Sequence, residues 1–125
     1  MKTQINPQDT SRAEAFNLWL SSPMPMVTLT KTFNVSNLLK QSKKLNISFN
    51  ALLCWCIGKA ASQIEEFYLL IEKDKLYKYD KIAINVIVNN KKGGINSCDI
   101  AFNEDLTQFV KNYTQLTQRT SQENK

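Results

Sequence analysis

Hydrophobic and polar positions along this chain follow two different periods, and these periods predict its helices and strands. Between residues 11 and 22, apolar side chains recur at helical spacing. Ser11 stands at the N-cap position, and Glu14 follows three residues later, as in a capping box. Pro23 and Pro25 come directly after this segment, and neither residue can continue a helix. The pattern therefore predicts a first helix over residues 11–22.

An alternation of apolar and polar residues predicts several strands. Val27, Leu29 and Phe33 alternate with threonines and a lysine between Met26 and Asn34, which is the pattern of a half-buried strand. Further strands are predicted as a hairpin over 67–80 with a tight turn, a β-branched central strand over 82–88, and a strand over 95–102.

Three more helices are predicted from caps and apolar spacing. Ser48 opens a segment, 49 to about 63, that is apolar nearly all round, so we expect it at the centre of the core. The other two helices are expected to begin at Asn34 or Ser36 and at Asn103 or Asp105. The predicted fold class is therefore mixed α/β: a mixed sheet packed with helices. We expect one domain over 1–125, with 1–10 and 120–125 flexible.

Composition indicates a soluble globular protein. The chain has 125 residues, of which 42% are hydrophobic and 22% charged. No apolar run is long enough to span a bilayer, and the N-terminus lacks the apolar stretch of a secretory signal. We therefore expect no membrane association and a cytoplasmic location. The net charge is +5, but lysines are interleaved with acids and only two arginines are present, which favours a solvated basic surface over nucleic-acid binding.

Residue types that usually perform catalysis are scarce. The chain contains no histidine, which excludes Ser-His-Asp and Cys-His catalysis and zinc sites built on imidazole. Its three cysteines are an odd count, so we expect free cysteines that pack as small hydrophobes, with metal or redox chemistry as the alternative. No glycine-rich phosphate loop is present. The residues alone predict an α/β domain with no self-contained active site and no metal.

Three motifs, in the right order, resemble the chloramphenicol acetyltransferase family. The resemblance extends from about residue 11 to residue 120. The motifs are Arg12-x-Glu14-x-Phe16 before a proline-rich segment, the hairpin segments 64–67, 71–76 and 79–82, and Asn103-Glu104-Asp105-Leu106-x-x-Phe109. The resemblance implies the two-layer α/β sandwich of that family, here incomplete.

The family enzyme is a trimer that transfers an acetyl group from acetyl-CoA to a hydroxyl of chloramphenicol or a related xenobiotic. It depends on a His-His-x-x-x-Asp-Gly motif near its C-terminus, whose second histidine deprotonates the acceptor, and on a serine from the middle of its sequence. We expect this chain to correspond to the N-terminal half only. The resemblance therefore assigns no catalytic residue here, and acetyl-CoA is an expectation from the family alone.

The resemblance does assign acceptor-binding positions. They are Leu18, Trp19, Pro23, Pro25, Val27, Ile95 and Ser97. Val27 and Ile95 are smaller than the aromatic residues usual at those positions, which leaves the acceptor open. Arg12 matches the arginine that pairs with the aspartate of the missing motif, so its implied role is structural. Ordinary packing is the alternative interpretation of all these residues.

Two function classes follow. The first is a truncated or split acetyltransferase, inactive alone, whose histidine comes from a companion chain. The second is a non-catalytic ligand-binding or oligomeric interaction module. A truncated sheet leaves an exposed edge, so we expect a homo-oligomer, a trimer by resemblance, in either class.

Overall fold

The computed structural model describes residues 1–123, which divide into two compact units. The first unit comprises residues 1–34 and 65–80, and the second comprises 35–64 and the described residues from 81 onward. The helices are α1 (Ala13–Leu20), α2 (Ser36–Leu45), α3 (Phe49–Ser62) and α4 (Leu106–Gln122). The strands are β1 (Lys2–Ile5), β2 (Leu69–Glu72), β3 (Lys75–Tyr79), β4 (Ala83–Asn89) and β5 (Ile95–Ala101). The fold is mixed α/β, as the sequence predicts.

The sheet of the first unit is antiparallel, in the order β1-β3-β2. The predicted tight turn joins β2 to β3 through Lys73 and Asp74, whose φ angles are 50° and 65°. Two successive positive φ angles match the right-handed twist of a two-residue hairpin. Strand β1 was not expected, because its four residues carry no clear apolar alternation. It pairs along β3, and the amino group of Met1 lies 2.8 Å from Asp80.

Helix α1 begins later than expected. The N-cap is Arg12, whose side chain makes no capping hydrogen bond, so the assignment of Ser11 as the cap is wrong. The reason lies in the preceding turn, where the hydroxyl of Thr10 accepts a hydrogen bond from the backbone N–H of Arg12 at 3.1 Å. That turn delays the helix by two residues. The helix ends at Leu20, before Pro23, as the prolines predict.

The strand expected over Met26–Asn34 is not formed. This segment has no regular secondary structure, and Val27, Leu29 and Phe33 are 63%, 90% and 69% exposed. Alternation supplies the side-chain pattern of a strand, but the backbone also needs a neighbouring strand to accept and donate its hydrogen bonds. No strand among residues 1–123 pairs with it.

In the second unit, β4 and β5 form a two-stranded antiparallel sheet. The strand expected to be central is therefore one of only two in this sheet, because no further strand within the described part of the chain extends it. One face of the pair is buried in the core that Cys54, Val86, Ile100 and Phe109 form. The opposite face is exposed.

Helix α3 lies at this core but is not buried all round. Ser48 caps it, as predicted, by accepting a hydrogen bond from the N–H of Ala51 at 3.3 Å. Ala51 is fully buried, whereas Ile57 is 56% exposed, which corrects the expectation of burial on every side. Gly58 lies at the closest approach, since a Cβ there would be 2.6 Å from Phe102 Cδ1.

Of the N-caps predicted for the other two helices, one is wrong and one is confirmed. Val35 is the N-cap of α2 and makes no side-chain cap, so neither Asn34 nor Ser36 holds that position. Asp105 caps α4, as predicted, by accepting a hydrogen bond from the N–H of Thr107 at 3.0 Å. Residues 124 and 125, part of the C-terminal segment expected to be flexible, lie outside the described residues.

We predict that Gly58→Ala destabilises the fold. The added methyl group would be 2.6 Å from Phe102 and 2.9 Å from Ile84. Overpacking of this kind costs about 1–3 kcal/mol, which exceeds the ~0.5–1 kcal/mol that alanine gains in a helix. Urea unfolding should therefore show a lower midpoint, while Ala60→Ser, an exposed change on the same helix, leaves it nearly unchanged. An unchanged Gly58→Ala midpoint would contradict the close packing.

We also predict a pH-dependent effect of Glu72→Gln. Hydrogen bonds from Lys2, which has the larger effect, and from Tyr79 hold the pKa of Glu72 below its ordinary value of 4.5. The carboxylate therefore stabilises the folded state above pH 4.5, and this contribution is lost as the pH falls through the lowered pKa. Thermal unfolding should show a small stability difference between wild type and variant at neutral pH that vanishes in acid. For Glu66→Gln, an exposed acid without these partners, we expect no such pH dependence.

Candidate binding site

Two hollows open on the first unit, and both involve α1. The first, which we call the sheet hollow, has a volume of about 210 Å³ and lies between α1 and the three-stranded sheet. It is lined by Arg12, Ala15, Phe16, Trp19, Glu66, Leu69, Ile71 and Leu76. The second, the loop hollow, has a volume of about 250 Å³ and is lined by Leu18, Trp19, Ser22, Met24, Pro25, Met26 and Val27.

The apolar character of the sheet hollow follows from strand register. Ile71 and Leu76 are directly opposite each other on β2 and β3, and Leu69 lies two residues before Ile71, so all three share one face of the sheet. Helix α1 contributes Phe16 and Trp19, which are three residues apart and therefore lie on one side of the helix. Leu76 is 5% exposed, and the other side chains are more accessible.

Arg12 and Glu66 bring opposite charges to the same hollow. Both residues are exposed, and neither forms an ion pair with any residue from 1 to 123. Arg12 is thus a cation that the first unit leaves unneutralised, beside an apolar surface. Its structural role, implied by resemblance, has no acidic partner in the described chain.

The loop hollow brings together four of the residues assigned to acceptor binding: Leu18, Trp19, Pro25 and Val27. Pro23 lies between two lining residues, Ser22 and Met24, but does not itself line the hollow. The chain turns here, and the N–H of Met26 donates a hydrogen bond to the carbonyl of Met24 at 2.8 Å.

Sequence reasoning missed the two methionines of the loop hollow. Their flexible thioether side chains adapt to ligands of irregular shape. Met24 and Met26 are 72% and 73% exposed. The signal was available in the sequence, because Met24 stands between Pro23 and Pro25 and Met26 directly follows Pro25, where no helix can continue.

Ile95 and Ser97, the remaining assigned residues, belong to the second unit. They are the first and third residues of β5, so their side chains are on the exposed face of the sheet. Ile95 is 66% exposed and pairs with Asn89, and Ser97 pairs with Ile87. This face combines the apolar side chains of Ile87 and Ile95 with polar ones, among which Asn85 donates a hydrogen bond to Asp99.

The described residues offer little catalytic chemistry. Burial raises the pKa of the Cys54 and Cys56 thiols, which disfavours the reactive thiolate. No group of three or more His, Cys, Asp or Glu side chains suited to a metal ion occurs among residues 1–123. Nor is any helix in that range both long enough and apolar enough to cross a membrane.

The hollows do not fit acetyl-CoA. The phosphates of CoA need several cationic or N–H donors, whereas the sheet hollow has a single cation, Arg12, with the carboxylate of Glu66 beside it. The loop hollow is lined by no charged residue. Neither volume reaches that of an ordinary ligand pocket, about 300 Å³ or more. Within each hollow the arrangement suits a small apolar molecule.

Comparison with known proteins agrees with this structure. A family model described as chloramphenicol acetyltransferase matches residues 2–125. A search of curated proteins found no match. A solved structure titled "chloramphenicol acetyltransferase" is similar in fold, with a TM-score of 0.87 and 20% sequence identity. The similarity covers 99% of this chain and 59% of that chain, so this chain spans little more than half its length. Because the family match extends over residues 2–125, the chain belongs to the chloramphenicol acetyltransferase family.

Proposed function

We propose that this chain binds a small, apolar, hydroxylated acceptor in the loop hollow, as the acceptor-binding part of an acetyltransferase. One observation supports this proposal above the others. Leu18 and Trp19 of α1 and Pro25 and Val27 of the following segment, all assigned to acceptor binding by resemblance, line one hollow.

The lining of the loop hollow favours this class of ligand. Its side chains are apolar apart from that of Ser22, whose hydroxyl accepts a hydrogen bond from the N–H of Met24 at 3.3 Å and has its own proton left to donate. Binding of a neutral molecule avoids the cost of placing a charge against an apolar wall. An acceptor with an aromatic body and one or more hydroxyl groups meets both conditions.

Transfer of the acetyl group requires a base that this chain does not supply. Attack by a hydroxyl needs proton removal by a group within hydrogen-bond reach. The 125 residues contain no histidine, and the one cation beside the hollows, Arg12, does not give up its proton. We therefore propose that the base, and the groups that bind acetyl-CoA, come from outside this chain.

An assembly is the natural source of those groups. The proposed source of the base is a companion chain that carries the histidine motif, since further copies of this chain, the trimer implied by resemblance, contain no histidine either. The segment from Val27 to Phe33 supports an assembly, since it has apolar residues at alternate positions and pairs with no strand within the described residues. Such segments readily add to the edge of another sheet.

A non-catalytic interaction module is the second candidate. The exposed face of β4 and β5 favours it, because Ile87 and Ile95 are 57% and 66% exposed there. Ligand binding by a stable homo-oligomer with no transfer even in the presence of a histidine-bearing companion would favour this second function. Transfer that depends on the companion would favour the first.

We predict that chloramphenicol, used as the probe, binds the chain saturably and that Val27→Asp weakens this binding at least tenfold. The substitution puts a charge into the apolar wall, and a tenfold loss corresponds to ~1.4 kcal/mol. Leu29→Asp is the matched control, because Leu29 is in the same segment and 90% exposed but does not line the hollow. Titration calorimetry measures both. Equal affinities for the two variants would contradict the assigned site.

We further predict that the chain alone does not transfer acetyl groups. With acetyl-CoA and chloramphenicol as substrates, a free-thiol assay should give the rate of the blank, because no side chain that lines the loop hollow can take the proton of the hydroxyl. Addition of a family chain that bears the histidine motif is the positive control for the assay. Turnover by the purified chain alone would refute this part of the proposal.

A further inference from the structure

Trp19 is the only residue that lines both hollows of the first unit. Its companions differ on the two sides. In the sheet hollow it lies with Ala15 and Phe16 of its own helix, and in the loop hollow with Leu18 and the segment that follows. Trp19 thus contributes to the lining of both hollows.

The indole of Trp19 is not held in place by a hydrogen bond to any of the described residues. No residue from 1 to 123 accepts a hydrogen bond from the indole N–H of Trp19, which is 37% exposed near the end of an eight-residue helix. Trp55 differs in this respect, since its indole N–H donates a hydrogen bond to the carbonyl of Asn103 at 2.9 Å. A change of rotamer at Trp19 would therefore break no hydrogen bond of its indole N–H.

A change in the position of the Trp19 ring would alter the volume that is open to a ligand. At about 210 Å³ and 250 Å³, each is smaller than the ~300–1,000 Å³ of ordinary ligand pockets. Joined, they fall within that range. The space beyond the indole is apolar on the strand side, through Leu69, Ile71 and Leu76.

We propose that the sheet hollow is a side compartment of the acceptor site and that the indole of Trp19 separates the two, so that this residue sets the largest acceptor the chain takes. The inference rests on acceptor binding in the loop hollow. A small acceptor occupies the loop hollow alone, and a longer one displaces the indole and places its far end against the sheet.

The far end of such an acceptor is expected to be neutral. Arg12 and Glu66 line the sheet hollow with opposite charges, so its lining carries no net charge that would favour an anionic or a cationic group. An aromatic or aliphatic group instead contacts the three strand residues and Phe16. The ligand class is therefore a two-part molecule, with a hydroxylated aromatic head and an apolar tail.

The experiment compares a one-ring and a two-ring probe, benzyl alcohol and 4-benzylbenzyl alcohol, by titration calorimetry on the full chain. The measured quantity is the ratio of their affinities. Trp19→Ala should shift this ratio towards the two-ring probe by about tenfold or more, because the wall is removed. Ala15→Leu should shift it by a similar factor in the opposite direction, because the longer side chain fills only the sheet hollow. Ala13→Leu, on the same helix but lining neither hollow, is the matched control.

The outcomes separate this inference from the function on which it rests. Opposite shifts for the two variants, with the control unchanged, support the compartment. Binding of benzyl alcohol with an affinity ratio that stays within about threefold in both variants overturns the compartment and leaves acceptor binding intact. If neither probe binds the wild type, both proposals fail. Should Trp19→Ala not fold by circular dichroism, Ala15→Leu alone decides, since it leaves the indole in place.

Discussion

The first unit is governed by a mismatch between a short helix and a wider apolar sheet face. Helix α1 has eight residues and is about 12 Å long, whereas the face opposite it belongs to three strands. A helix of that length leaves part of the face uncovered, and the sheet hollow is the space that remains. The same helix ends against two prolines, so the chain that leaves it is irregular and exposes its methionines. Both hollows arise from this one constraint.

The second unit, in contrast to the first, has a closely packed core. Gly58 lets α3 approach Phe102 and Ile84 so closely that a single methyl group would clash, and Phe109 and Ile100 are fully buried. A rigid core of this kind holds β4 and β5 with one face inward and leaves the other face uncovered. The chain belongs to the chloramphenicol acetyltransferase family and contains no histidine, and the proposal of binding without turnover rests on these two facts together. Absence of histidine thus becomes informative only together with the family to which the chain belongs.

Much of the fold follows from the sequence, because local signals determine it. The caps at Ser48 and Asp105 and the alternation along β4 act within a few residues, and the structure has them as predicted. The wrong predictions concern segments whose structure depends on pairing with strands that are distant in the sequence. The segment from Met26 to Asn34 alternates like a strand but has no neighbour to pair with, and β1 forms because β3 provides one. The site shows the same division, since four assigned residues line one hollow, whereas the shared position of Trp19 depends on packing that no local pattern encodes.

The central claim is that the acceptor is held against the indole of Trp19. The most direct measurement is the indole region of a ¹⁵N–¹H correlation spectrum, which has one side-chain peak for each of the two tryptophans. Titration with 4-benzylbenzyl alcohol should move the Trp19 peak saturably, while the Trp55 peak, held by its hydrogen bond to Asn103, serves as the internal reference. A Trp19 peak that keeps its position while calorimetry shows the probe to be bound would contradict the account.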